Sequence, residues 1–189
     1  MIIGTYTPAT VEYLPHDSES RRVAGWITNV IVESNGSLHV EHIGSTSVPG
    51  CWGKGIIDLL VQYKPGCLET ARHLLDRIGF QRQAGGAAFP ESRPMRVASV
   101  EYFGRLYRIH AHVVARDSNE ARDLVRFRNL LRDNVCLRRA YEAEKRAILA
   151  RGAVEGTEYS NAKRDFIRRA LALGESNRED LYPAFTNAR

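Results

Sequence analysis

Glu41-His42-Ile43-Gly44-Ser45-Thr46-Ser47-Val48-Pro49-Gly50 leads, after the short link 51–55, into Ile56-Ile57-Asp58-Leu59-Leu60-Val61. The second run is apolar, of strand length and rich in β-branched residues, which is the pattern of a strand buried on both faces. One carboxylate, Asp58, interrupts it. A lone ionised acid in such a strand needs compensation, from Lys54, from an arginine or from a ligand. The preceding loop is built for close approach: Gly44 lets the backbone near a ligand, while the Ser45 and Thr46 hydroxyls and exposed N–H groups can hold phosphate oxygens.

On the N-terminal side of this stretch, Val23, Trp26, Ile27, Val30 and Ile31 recur at helical spacing, predicting a helix over 19–34 that Ser34-Asn35-Gly36 ends. Residues 38–43 read as the strand that delivers the chain to Gly44. Beyond the acid-bearing strand, residues 67–80 read as an amphipathic helix with Gly79 as a left-handed C-cap. Residues 83–95, rich in Gly, Ala and Pro, read as a mobile loop beside the site. A hairpin follows, 97–103 and 106–114 about a Gly104-Arg105 turn. Strand alternation puts Tyr107, Ile109, Ala111 and Val113 on one face, and Arg108, His110 and His112 on the other.

From Asp117 onward the period is helical. Asp117 with Glu120 reads as a capping box, Asp133-Asn134 as a break, and Thr157 as the cap of a third helix. The expected organisation is an α/β domain over 1–115, a helical region over 116–173 packed on it, and a tail over 174–189 that Leu181, Tyr182 and Phe185 could dock.

Composition bounds the class. With 189 residues, 43% hydrophobic and 26% charged, the chain has the makings of an ordinary globular protein. No stretch nears the roughly 18 apolar residues of a transmembrane helix, and the N-terminus lacks a secretory pattern, so a cytoplasmic location without membrane contact is expected. Cys51, Cys67 and Cys136 form no C-x-x-C pair, which argues against a zinc knuckle or a disulfide framework. The net charge of +5 is concentrated: residues 116–170 carry 14 Lys/Arg against 9 Asp/Glu. Such a local excess suits an anionic partner, or simply a solvated basic helix face.

A Gly-Ser loop before a strand with an acid about 13 residues on is the arrangement of nucleotidyltransferase folds, where the loop holds a triphosphate and strand carboxylates hold metal. The motif His42 to Gly50, then Lys54 and Ile56-Ile57-Asp58, resembles the signature of the GrpB family, regarded as a branch of that superfamily. A related domain is fused to some bacterial dephospho-coenzyme A kinases. His110-Ala111-His112-Val113-Val114 resembles the family's His-x-His-Val strand. Phe127-Arg128, Leu131-Arg132, Tyr141 and Lys145 resemble its helical motifs, and Tyr159, Lys163 and Phe166-Ile167 its closing helix. The link Gly50-Cys51-Trp52-Gly53-Lys54-Gly55 departs from the family's Gly-Leu-Ala-Ala-Lys-Pro, and Asn129 and Asn134 stand where Asp and Pro are usual.

The resemblance implies a nucleotidyltransferase-like mixed sheet with flanking helices and a C-terminal helical bundle. It also implies nucleotidyl or phosphoryl-group chemistry on a small molecule, with a nucleoside triphosphate as substrate. In that picture Asp58 and His112 are catalytic. His42, Gly44, Ser45, Thr46, Lys54, Arg128, Arg132, Lys145 and Lys163 bind substrate phosphates, and Asp58, His110 and His112 are the metal candidates. The second strand carboxylate usual in nucleotidyl transfer is replaced by Leu60, and one acid with imidazoles would favour a divalent ion softer than magnesium, or none. The alternative is a non-catalytic module binding a nucleotide or a coenzyme A-like anion. A nucleic-acid binder ranks last, for want of any base-reading motif.

Overall fold

The computed structural model describes residues 1–8, 12–84, 88–151 and 156–176. Its strands are β1 (Ile3–Gly4), β2 (His39–Ile43), β3 (Ile57–Tyr63), β4 (Gln81–Arg82), β5 (Met95–Tyr102) and β6 (Arg105–Ala115). Its helices are α1 (Glu19–Ser34), α2 (Leu68–Arg77), α3 (Asn119–Asp133), α4 (Val135–Ala150) and α5 (Gly156–Ser176), with a short 3-10 turn at Ser45–Ser47. The strands form one mixed sheet in the order β1-β5-β6-β3-β2, with β4 on β5. Only β3 and β6 run parallel; every other pairing is antiparallel. The expected mixed α/β sheet with flanking helices is what the chain forms.

The alternation read from β6 holds in three dimensions. Tyr107, Ile109, Ala111 and Val113 join Ile57, Leu59 and Val61 of β3 in a core closed by α1 and α2. Each fully buried aliphatic side chain there contributes roughly 1.5–3 kcal/mol relative to leaving it in water. On the opposite face α3 covers only part of the sheet, packing Ala121, Leu124 and Val125 on Ile43, Leu60 and Val114. Asp58, His110 and His112 lie on this second face, since Asp58 pairs with His110 and Leu60 with His112 in register.

A third apolar cluster joins Leu131, Leu137, Tyr141, Phe166 and Ala170 of α3, α4 and α5 to Val48 and Cys51. The helical region therefore packs on the loop that follows β2. That contact is what places helix-borne cations near the acid.

Local details differ from expectation for identifiable reasons. Ser118 caps α3, accepting from the Ala121 N–H, while Asp117 sits at φ 65° in a left-handed turn that aspartate tolerates better than most residues. The hairpin turns at Phe103-Gly104, one residue before the expected pair, with both at positive φ. Asn134 accepts from the Leu137 N–H and caps α4, so it marks the expected helix break. Helix α5 takes in Thr157 and runs on to Ser176. The remainder of the expected tail, with Leu181, Tyr182 and Phe185, lies outside the described residues, as does the Tyr159 side chain.

Candidate functional site

Gly44 is where loop and acid meet. It adopts φ 69° and ψ −175°, a conformation essentially reserved for glycine. A Cβ there would overlap Asp58 Oδ2 and lie 3.0 Å from the Asp58 Cβ and Cγ. The loop backbone thus rests directly against the carboxylate. Gly53 plays a similar part: a Cβ on it would collide with the Ser45 Oγ and lie 3.7 Å from the Lys145 Nζ. The link from Gly50 to Gly55 therefore packs on the hydroxyl the sequence points to.

Asp58 keeps its charge despite its surroundings. Burial pushes its pKa up, but the hydrogen bond from His112, the influence of the His112 and His110 rings and, last, the charge of Lys163 outweigh this and hold it below the ordinary carboxylate value. His112 Nε2 is 3.4 Å from Asp58 Oδ1, and His110 Nδ1 is 3.9 Å from the same oxygen. On its other side His110 Nε2 meets the Tyr6 hydroxyl at 3.2 Å. Burial pushes the His110 pKa down to about 4, against the pull of Asp58.

His42 belongs to the loop's support. The single Thr46 hydroxyl proton goes to the Ile56 carbonyl at 3.2 Å, so His42 Nε2 must be the donor in its 2.9 Å contact with Thr46 Oγ1. Thr46 is itself buried, which assigns its hydroxyl to pinning the loop to the start of β3. His42, like His110, has its pKa pushed down to about 4, chiefly by burial.

These two rings predict how the protein responds to acid. Their folded pKa values lie below the ordinary 6.5, so on acidification the unfolded chain takes up protons first. Stability should fall from about pH 6.5 towards pH 4, by on the order of 1–3 kcal/mol per ring. Urea unfolding across that range measures it. The double variant His42→Gln/His110→Gln should flatten this limb, and an unchanged slope would exclude these rings as its source.

The cations divide into two groups. Lys54 and Lys163 both have pKa values pushed down to about 8, mainly by burial, and Lys163 is coupled to Asp58. Arg108 donates to the Lys54 carbonyl at 3.0 Å and tethers that residue to β6. The other cations are occupied in holding the fold. Arg128 Nη1 bonds Glu41 at 2.8 Å and the His42 carbonyl at 3.1 Å. Arg132 sends Nε and Nη2 to the Ser47 carbonyl, at 3.0 and 2.7 Å.

Lys145 corrects the sequence reading most clearly. It is 2% exposed, its ammonium donates to the Trp52 carbonyl and contacts Cys51 Sγ at 3.5 Å, and it lies 4.6 Å from the Tyr141 ring centroid. It braces the link from below and does not face a substrate. Nearby, Trp52 stacks on Tyr13 with centroids 5.8 Å apart, and its N–H donates to Glu142 at 2.9 Å.

The metal candidates do not assemble a protein-built centre. Arginine can only donate, so the 3.1 Å contact of Arg93 Nη1 with His112 Nδ1 makes that nitrogen the acceptor. That leaves Nε2, the nitrogen facing Asp58, as the ring's donor position. Leu60, at the position of the missing carboxylate, is fully buried beneath α3. Among the described residues no group of three or more His, Cys, Asp and Glu side chains is placed to hold a metal ion.

Sequence reasoning missed three partners: Arg93, Tyr6 and Gly53. Arg93 and Tyr6 reach the histidines from segments with no regular period, and no spacing rule signals either. Gly53 could have been found, because a second glycine-bearing link so close to Gly44 implies close backbone packing. A cavity of about 720 Å³ lies away from Asp58, between α3 and the β2–β3 edge, lined by residues including Glu41, Gln62, Arg122, Arg126 and Asn129. It shares none of the Asp58 cluster.

Together these features define an α/β protein whose Gly-Ser loop and strand-borne acid are braced by a C-terminal helical bundle. The sequence profile of the GrpB protein family matches residues 10–173, and the chain belongs to that family. A UPF0157 protein of Halalkalibacterium halodurans is 28% identical over 156 residues, covering 82% of this chain and 73% of its own. A UPF0157 protein of Streptomyces coelicolor is 31% identical over 130 residues, covering 69% of this chain and 65% of its own. The crystal structure of conserved protein GrpB from Enterococcus faecalis shares the fold, with TM-score 0.62 and 22% identity over 85% of this chain and 98% of that one. Among the described residues no helix is long and apolar enough to cross a membrane.

Proposed function

We propose that the protein binds a nucleotide at the Gly44–Ser47 loop and transfers a nucleotidyl or phosphoryl group from it to a small hydroxyl-bearing acceptor. The observation that carries this reading is the Asp58 carboxylate seated against the Gly44 backbone, with the partly buried ammonium of Lys163 acting on it and Lys54 acting on Lys163 in turn. In the proposed reaction the acceptor hydroxyl gives its proton to Asp58 and its oxygen attacks phosphorus. A new P–O bond forms, the bond to the leaving phosphate breaks, and the leaving group departs as an anion. The N–H groups of residues 44–46 and the Ser45 hydroxyl hold phosphate oxygens, while Lys54 and Lys163 neutralise them. His112 stays a donor to Asp58 and keeps the carboxylate aimed.

A second reading, an anion-binding module without turnover, is supported by one observation: the place of the usual second carboxylate is taken by Leu60, which is fully buried and offers no ligand. A thermal-shift panel of nucleotides and coenzyme A, with and without divalent ions, followed by turnover assays on whatever binds, separates the two. Under the transfer reading Asp58→Asn loses roughly 10²–10⁴-fold in turnover, the range for a general base. Its nucleotide affinity holds or rises, because a negative charge is removed. Affinity for the anion should weaken above about pH 8, where Lys54 and Lys163 lose their protons. Turnover unchanged in Asp58→Asn would sink the transfer mechanism. No shift with any nucleotide would sink both readings.

A further inference from the structure

The segment before β5 reaches the site through one ring. Arg93 places Nη1 3.1 Å from His112 Nδ1. Its Nε donates to Glu120 Oε1 at 2.8 Å, and its Nη2 donates to the same oxygen. Glu120 stands in the first turn of α3, where a helix N-terminus favours an acid. Phe89 sets its ring edge-on to His112 at 5.9 Å between centroids, and the Arg93 guanidinium lies 4.5 Å from the Phe89 ring centroid. His112 is therefore held on one nitrogen by a group that has no lone pair and does not deprotonate.

We propose that Arg93 is a positioning residue that locks His112 in the Nε2–H tautomer, so that His112 is a standing donor to Asp58 and is closed to metal at the nitrogen facing the site. The chain Glu120–Arg93–His112–Asp58 then runs from the α3 N-terminus to the acid, each member fixed by the one behind it. This arrangement parallels the way a ligating histidine is oriented by its second nitrogen, but with the opposite polarity. A carboxylate or carbonyl behind Nδ1 would leave the Nε2 lone pair free for a metal. An arginine there removes it. With Arg93 gone, the proton can move to Nδ1, and the Nε2 lone pair beside Asp58 becomes a two-ligand start of a metal site.

The inference deepens the reading of Asp58 given above, but its test needs no turnover, so the two can fail separately. Long-range ¹H–¹⁵N correlation NMR on the labelled full chain, with His112 assigned by loss of its signals in His112→Gln, reports the tautomer directly. The wild type is expected to show a protonated Nε2 and a bare Nδ1. Arg93→Met should give a tautomer mixture, with Co²⁺ shifting the His112 signals at concentrations that leave them unmoved in the wild type. Arg93→Lys, which can still donate, should restore the wild-type tautomer. Should Arg93→Met fail to fold, Glu120→Gln, which loosens the guanidinium without removing it, should show a partial mixture. A wild-type His112 with its proton on Nδ1, with both nitrogens protonated, or ligated by Co²⁺ through Nε2 would overturn the proposal. So would an Arg93→Met variant with an unchanged tautomer.

Discussion

Deleting both carboxylates that face Arg96, by Asp76→Ala/Glu91→Ala, is expected to destabilise the protein by about 3–5 kcal/mol, more than deleting the arginine itself. Arg96 is fully buried, with Nε 2.6 Å from Asp76 and Nη1 and Nη2 3.1 and 3.0 Å from Glu91. Asp76 and Glu91 are 35% and 39% exposed. The asymmetry follows from that difference in burial. Arg96→Met leaves two acids that water can reach, so its cost is a packing defect and lost hydrogen bonds, roughly 1–3 kcal/mol. The double carboxylate variant strands a guanidinium that cannot neutralise itself by giving up a proton. Chemical denaturation of the two variants against wild type measures the difference. Equal costs, or a larger one for Arg96→Met, would mean that packing of the arginine stem dominates its charge.

Gly44→Ala should cost about 2–4 kcal/mol, adding the strain of a non-glycine residue at φ 69° to the collision with Asp58. A double-mutant cycle with Asp58→Ala separates the two contributions. In the Asp58→Ala background the overlap with Oδ2 is gone and only the 3.0 Å approach to the Cβ remains, so the cost of Gly44→Ala should drop towards the backbone strain, about 1–3 kcal/mol. If the cost is the same in both backgrounds, the carboxylate is not what forbids a side chain at this position. Under the proposed function, nucleotide affinity should fall as well, because an alanine at 44 must push either the loop or the Asp58 carboxylate aside.

Periodic features were readable in the chain, and contacts between distant aperiodic segments were not. Helix α1 spans the expected 19–34, and the alternation in β6 correctly separated Ile109, Ala111 and Val113 from His110 and His112. Both are consequences of a repeating apolar pattern. The order of Gly-Ser loop and strand-borne acid was legible, but that Gly44 makes room for the Asp58 carboxylate itself was not, because the expectation was of a ligand approaching there. Arg96 was not: an inward-facing arginine breaks the strand pattern, and its compensating acids are on α2 and in the segment before β5. For the same reason Arg128 and Arg132 could be read as a phosphate cradle. Nothing local in α3 shows that their acceptors are Glu41 and the carbonyls of His42 and Ser47, more than eighty residues earlier. Lys145 is the extreme case, since its acceptors are the Trp52 carbonyl and the Cys51 sulfur, both in the link from Gly50 to Gly55.

The Trp52 peptide unit bears on how this site could be moved between relatives. Its N–H is taken by Glu142 and its carbonyl by Lys145, two residues three apart on α4. The helix thus acts as a mould in which the link is cast, and mould and casting are separated by some ninety positions of sequence. Grafting Cys51–Gly55 alone into a homologous scaffold would carry the letters and leave the shape behind. A working transplant would need α4 to travel with it.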